Sequence, residues 1–166
     1  MEEFLALPEL DAGKRELVRG ELIDLPPAKY KHTQTAHRMQ KWLESAVAAI
    51  GIGGDVYHEM GYKMGYRHWL APDVSLTHPD QPHEDYLEGA PLLAVEIVSE
   101  ANTPKRIALK VEAYLANGAE EVWVVYEEHR NMWIHRKDGT RELKSGCFPA
   151  ALLNGQMIDL DQILGD

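Results

Sequence analysis

With 166 residues, one cysteine (Cys147) and a net charge of −10, the chain has the length of one domain and no means of forming an intramolecular disulfide. It also lacks the overall basic balance through which counterion release drives nucleic-acid binding. The acidic start Met1-Glu2-Glu3 is unlike a secretory signal or transit peptide, and the mild stretch at residues 46–54 is far too short to span a bilayer. These features predict a soluble, cytoplasmic protein with no membrane partner, its residues 1–166 forming a single domain.

Residues 2–7 predict a short helix ended by Pro8. Residues 15–18 and 21–25 flank Arg19-Gly20 and predict a hairpin, in which Gly20 tolerates positive φ. Pro26-Pro27 ends its second strand. From His32 to Ile50, the residues Ala36, Met39, Leu43, Val47 and Ile50 recur at helical spacing, and Gly51, Gly53 and Gly54 stop the helix. Residues 55–59 and 61–66 predict two strands with a turn between them. A strand at 73–77 follows, then a polar loop at 79–89 holding two prolines.

Residues 91–98 form a short apolar run of the kind buried on both faces of a sheet, interrupted by Glu96. Such a charge is costly unless it is paired or bound to a metal. Asn102 or Thr103 caps a helix over 103–116, Pro104 suits its first turn, and Asn117-Gly118 ends it. A buried strand follows at 121–126, then a hairpin of 132–136 and 141–144 across Asp138-Gly139, then a short helix at 158–164. The β-α-β order around Lys110, with antiparallel material on either side, predicts a mixed α/β sheet rather than a doubly wound one.

The charges are unevenly distributed. Residues 25–43 carry Lys29, Lys31, Arg38 and Lys41 without an acid; residues 60–71 carry Lys63 and Arg67; residues 101–111 carry Lys105, Arg106 and Lys110. Ordinary surface patchiness explains this as well as convergence of the three segments around Asp73 and Glu96 to receive a phosphodiester.

Asp73 and Glu96 are the number of carboxylates by which magnesium is usually held, the remaining positions going to water and substrate oxygens. Neighbouring strands lie about 4.8 Å apart, so acids at matching levels can share one ion. The carbonyl of Ile97 offers a further ligand, and a nearby lysine can orient water or stabilise phosphate charge. Lys110 lies roughly 85° from the centre of the stripe Ile107, Val111, Tyr114 and Leu115 by the helical repeat, at an edge from which a long side chain reaches inward. Taken singly, Asp73 reads first as a capping or turn residue, Lys110 as a solvated helix residue, and His32 as an ordinary residue of a helix N-terminus. The tryptophans at 42, 69, 123 and 133 suit core or interface packing.

Several features occur in an order that resembles one family. Glu21 follows Arg19-Gly20, and Pro26-Pro27 precedes His32. Pro72-Asp73-Val74 comes next, then Val95 to Ser99 around Glu96, and then Asn102-Thr103-Pro104. Lys110 with Tyr114, Gly118 and the strand from Glu121 to Val125 complete the series. Over roughly residues 16–133 the chain resembles the Uma-type endonucleases of the restriction-endonuclease-like PD-(D/E)XK superfamily. The resemblance implies a restriction-endonuclease-like core, a mixed central sheet flanked by helices, with DNA as substrate and Mg, or Mn, as cofactor. It implies Asp73 and Glu96 as metal ligands, with Glu21 and His32 as accessory polar residues. The superfamily's lysine usually stands two residues after the second acid; that position is Val98, and the lysine is displaced onto the following helix as Lys110. Tyr126 stands where an acid is common.

Two other functions suit the same residues: a non-catalytic module that keeps the fold for nucleic-acid or protein contact, and a hydrolase of small phosphate compounds. A single core of this size would need a second copy, a homodimer, to cut both strands together.

Overall fold

The computed structural model describes residues 1–100 and 102–165; position 101, which opens the basic segment 101–111, and position 166 lie outside the described residues. The first half contains α1 (Glu2–Leu5), β1 (Lys14–Val18), β2 (Glu21–Leu25), α2 (Tyr30–Ile50), β3 (Val56–His58), β4 (Tyr62–Met64), β5 (His68–Leu70) and β6 (Val74–Leu76). The second contains β7 (Leu87–Glu88), β8 (Leu93–Val98), α3 (Pro104–Ala116), β9 (Glu121–Tyr126), β10 (Asn131–Arg136), β11 (Gly139–Leu143), β12 (Cys147–Ala150), β13 (Gln156–Asp159) and α4 (Leu160–Leu164).

A six-stranded sheet in the order β11-β10-β9-β8-β6-β3 forms the centre. Within it β8 and β9 run parallel, joined by α3, and the other neighbours run antiparallel. The mixed α/β sheet expected from the sequence is what forms. A second sheet, β2-β1-β5-β4-β7, and the ribbon β12-β13 complete the strands.

Side chains on β8 and β9 alternate between two apolar layers, as the strand period of two requires. Val95, Ile97, Trp123 and Val125 pack on one face with Met39 and Leu43 of α2. Ala94, Val122 and Val124 pack on the other with Ile107, Val111 and Tyr114 of α3, and with Tyr62, Met64 and Leu70 of the second sheet. Glu96 is in phase with Ala94, and so faces α3.

Both long helices end as their sequences specify. Gly51 closes α2 in the left-handed conformation at φ 65°. Thr103 Oγ1 accepts from the Arg106 amide at the start of α3, with Pro104 beside it.

Three local expectations fail, the first being that the segment 79–89, expected as a loop, contains β7, which pairs in parallel with β4. β3 and β4 are not partners across a turn: β3 pairs with β6 and β4 with β5, so they belong to different sheets. The segment between them includes Gly61, where any Cβ would lie 2.5 Å from the Trp69 ring. The C-terminal helix starts at Leu160 rather than at 158, because the Asp159 carboxylate accepts from the Asp161 and Gln162 amides and caps it there. Ile158 belongs instead to β13, paired with Phe148.

Candidate active site

Asp73 stands one residue before β6. In the antiparallel β6–β8 pair, Val74 lies opposite Val95 and Ser75 opposite Ala94. The same register carried back one residue sets Asp73 opposite Glu96, and directly opposed side chains in such pairs have Cβ atoms about 4.5–5.5 Å apart. Both acids are buried.

α3 brings the lysine. Its buried residues are Ile107, Lys110, Val111, Ala113 and Tyr114, so Lys110 belongs to the packed face and not to its solvated edge. Leu115, counted in the stripe from sequence, is only partly buried, while Ala113 is buried, which turns the inward face toward Lys110. Lys110 Nζ donates to Glu96 Oε2 at 2.7 Å and to Glu16 Oε1 at 3.0 Å. Tyr114, one helical turn on, donates its hydroxyl to Glu96 Oε1 at 2.7 Å.

Asp73 is held from three sides. The Ile97 amide donates to its Oδ2 at 2.7 Å, Lys14 Nζ to its Oδ1 at 3.0 Å, and His32 Nε2 lies 3.3 Å from Oδ1. His32 Nδ1 is buried without a hydrogen-bond partner among the described residues. Together Lys14, His32, Asp73, Glu96 and Lys110 line a cavity of about 940 Å³, with Pro26 and Pro27 in its wall.

Asp73, Glu96, Lys110 and His32 therefore meet, and Ile97 joins them through its amide. Glu21 does not: it is exposed at the turn end of β2 and takes no part in lining the cavity. Across the hairpin turn Glu21 lies opposite Val18; the buried acid is Glu16, farther along β1 opposite Ile23, and the Ala71 amide also donates to it at 3.2 Å. Sequence reading missed Glu16 and Lys14. Glu16 carried the same signal as Glu96, an acid beside apolar residues within a strand, but the run Leu17-Val18 is too short to make it conspicuous.

The basic segments converge only in part. Lys29 and Lys31 line the cavity, but so do Glu100, Glu127 and Glu128. Lys63 is paired with Glu88, Arg67 donates to the Arg19 carbonyl, and Arg38 donates to the carbonyls of Ile163 and Leu164.

Burial and charge set the proton affinities. Burial pushes Glu96 up to about 7, Lys110 opposes this, and Asp73 and Glu16 add to it. For Asp73, burial is outweighed by Lys14 and His32, so its carboxyl lies well below the usual range. Lys110 is raised: burial disfavours its charge, but Glu16 and Glu96 more than compensate. His32 is raised: burial disfavours its charge, but the hydrogen bond to Asp73 and the charges of Asp73 and Glu127 together more than compensate.

Among the described residues no group of three or more His, Cys, Asp or Glu side chains is placed to hold a metal ion. Two opposed carboxylates remain. Their hard oxygens suit Mg or Mn, which keep several waters, and not a closed zinc cage. A carboxylate has about four lone-pair sites. Three groups contact Asp73 and two contact Glu96, so both retain capacity for a cation. The donor set fits such an ion.

A family model named Uma2, described as "Putative restriction endonuclease", matches residues 1–165. The chain belongs to the Uma2 family. This Uma2 chain also superposes on a crystal structure from Anabaena variabilis ATCC 29413, described as a putative nuclease belonging to DUF820. The TM-score is 0.85, covering 98% of this chain and 96% of that one at 20% sequence identity. At that identity the likeness is one of fold, and the expected restriction-endonuclease-like core holds. No curated protein matches the chain. Uma2 membership points to nuclease chemistry. No helix among the described residues is long and apolar enough to cross a membrane.

Proposed function

We propose that this Uma2 protein is a divalent-metal-dependent endonuclease that hydrolyses DNA phosphodiester bonds. What carries this reading is the opposition of Asp73 and Glu96 across β6 and β8, at a cavity that Lys110 also lines. Asp73 and Glu96 would hold Mg, or Mn, with the Ile97 carbonyl as a further ligand. Such an ion, when bound, neutralises charge developing on the phosphate and makes water a better nucleophile.

The chain's own residues supply the rest. Lys110 and Tyr114 fix both oxygens of Glu96, and the Ile97 amide with His32 fixes Asp73, so the two carboxylates are aimed before any ion arrives. Two of the three ammonium protons of Lys110 are used by Glu96 and Glu16, leaving one for water or a phosphate oxygen. Lys31 at the cavity wall offers a positive charge to the polyanion, while Lys29 beside it is paired with Glu100. A cytoplasmic location and a homodimer for cutting both strands belong to the same reading.

The test is cleavage of supercoiled plasmid with Mg or Mn by the wild type, Asp73→Asn and Glu96→Gln. Cleavage by the wild type, reduced at least 100-fold in both variants, is the expected result. If a metal-binding wild type leaves plasmid intact but retains it in a salt-dependent complex, the protein is a non-catalytic binding module. Hydrolysis of a simple diester such as bis(p-nitrophenyl) phosphate, with DNA untouched, would point to small phosphate compounds.

A further inference from the structure

We propose that the ammonium of Lys14 is a built-in cation, filling a second cation position beside the Asp73–Glu96 pair so that the site takes one divalent ion instead of two. This rests on the reading that Asp73 and Glu96 hold an ion. Lys14 Nζ sits 2.9 Å from the Ala71 carbonyl, 3.0 Å from Asp73 Oδ1 and 3.7 Å from Glu59 Oε1. Two carboxylates and a main-chain carbonyl are the oxygens that a hard divalent cation collects. The ammonium has three donors; two are bonded to the Ala71 carbonyl and Asp73 Oδ1. Glu59 Oε1, on a side chain 42% exposed, is an ion-pair partner at 3.7 Å, so Lys14 serves as a fixed charge in this oxygen set.

The position is built, not incidental. The Lys14 side chain is only 20% exposed, whereas in the surface pair Lys29–Glu100 the values are 75% and 74%. β1 anchors the Lys14 backbone opposite Leu25 of β2. Glu59 has φ +49°, a conformation that a non-glycine residue adopts only against a steric cost and that recurs at functional sites. The Glu59 amide meets the Asp73 carbonyl at 3.3 Å, so this strained residue is tied to the acid it shares with Lys14. Lys110 makes its contacts elsewhere, with Glu16 and Glu96. The two lysines therefore neutralise different parts of the cluster, and only Lys14 is bound by an oxygen set without Glu96.

The test is calorimetric titration of Mn into the wild type, Lys14→Ala, the double variant Lys14→Ala with Glu59→Gln, and Lys14→Met, which keeps the buried stem should the alanine variant fold poorly. Melting temperature is followed with and without Mn. The expected result is one more equivalent of Mn in Lys14→Ala or Lys14→Met than in the wild type, a larger Mn-induced rise in melting temperature, and loss of the extra equivalent in the double variant. Equal stoichiometry in wild type and single variants would overturn the proposal while leaving the Asp73–Glu96 reading in place. No Mn in the wild type but one equivalent in Lys14→Ala would support the Lys14 position and refute the Asp73–Glu96 reading. Loss of the wild-type ion on removing Lys14 would make Lys14 a positioning residue for Asp73 and overturn the substitution.

Discussion

Lys110 Nζ lies 2.7 Å from Glu96 Oε2, and both side chains are almost wholly withdrawn from solvent. The same ammonium reaches Glu16 at 3.0 Å, so one cation from α3 holds two carboxylates from different sheets. The mutual attraction of such groups is largely offset by the cost of taking them out of water, while removing one member leaves its partners charged and unpaired.

Lys110→Ala is therefore expected to lower stability by about 3–5 kcal/mol as well as to stop cleavage. Urea unfolding at pH 7.5 measures it. A loss under about 1 kcal/mol, the range of exposed pairs, would show that the two carboxylates find other partners at no cost.

Glu96 gives a pH dependence of definite sign. Burial raises its carboxyl from 4.5 to about 7 in the folded protein. A group raised in this way contributes stability that is full below 4.5 and is lost as pH rises through 7. At about 1.4 kcal/mol per pH unit, the loss is on the order of 3 kcal/mol. Without metal, the wild type should melt at progressively lower temperature from pH 5 to 8, and Glu96→Gln should show a flatter profile and melt at or above the wild type at pH 8. Parallel profiles would contradict the assignment.

Tyr114→Phe removes the hydroxyl that donates to Glu96 Oε1 and leaves the ring packed. A hydrogen bond to a charged group contributes about 1.5–3 kcal/mol, and a loss of that size is expected in urea unfolding above pH 7. An unchanged midpoint would mean that Glu96 is protonated or otherwise satisfied there.

Glu16→Gln weakens the grip on Lys110 without touching Asp73 or Glu96. Residues that orient metal-binding groups typically matter by about 10–100-fold, so plasmid cleavage is expected to fall by that factor while Mn still binds in calorimetry. Cleavage within about twofold of wild type would remove Glu16 from the working cluster.

Much of this was present in the sequence as local anomalies. A carboxylate inside an apolar strand is costly enough to demand a partner, which singled out Glu96. Thr103, Pro104 and Gly118 marked the helix on which that partner, Lys110, is carried. Asp73, Glu96, Lys110 and His32, picked out by pattern and resemblance, do come together. Glu21 does not: it shares a hairpin face with Glu16 but stands at the exposed turn end, opposite Val18, while Glu16 lies farther into β1, opposite Ile23, and is buried.

The two long helices, the strands of the central sheet and the presence of buried charge were thus decided by the sequence itself, because helix caps, strand alternation and desolvation act over a few residues. By contrast, β5, β7 and the β12–β13 ribbon were not legible there. The pairing of charges was decided only by the tertiary structure. Lys14 meets Asp73 across 59 positions and Glu16 meets Lys110 across 94. Those meetings depend on which strands become neighbours, as when β3 joins β6 instead of β4. Strand neighbours are chosen by the packing of two apolar layers as a whole, and no local run of residues encodes that choice.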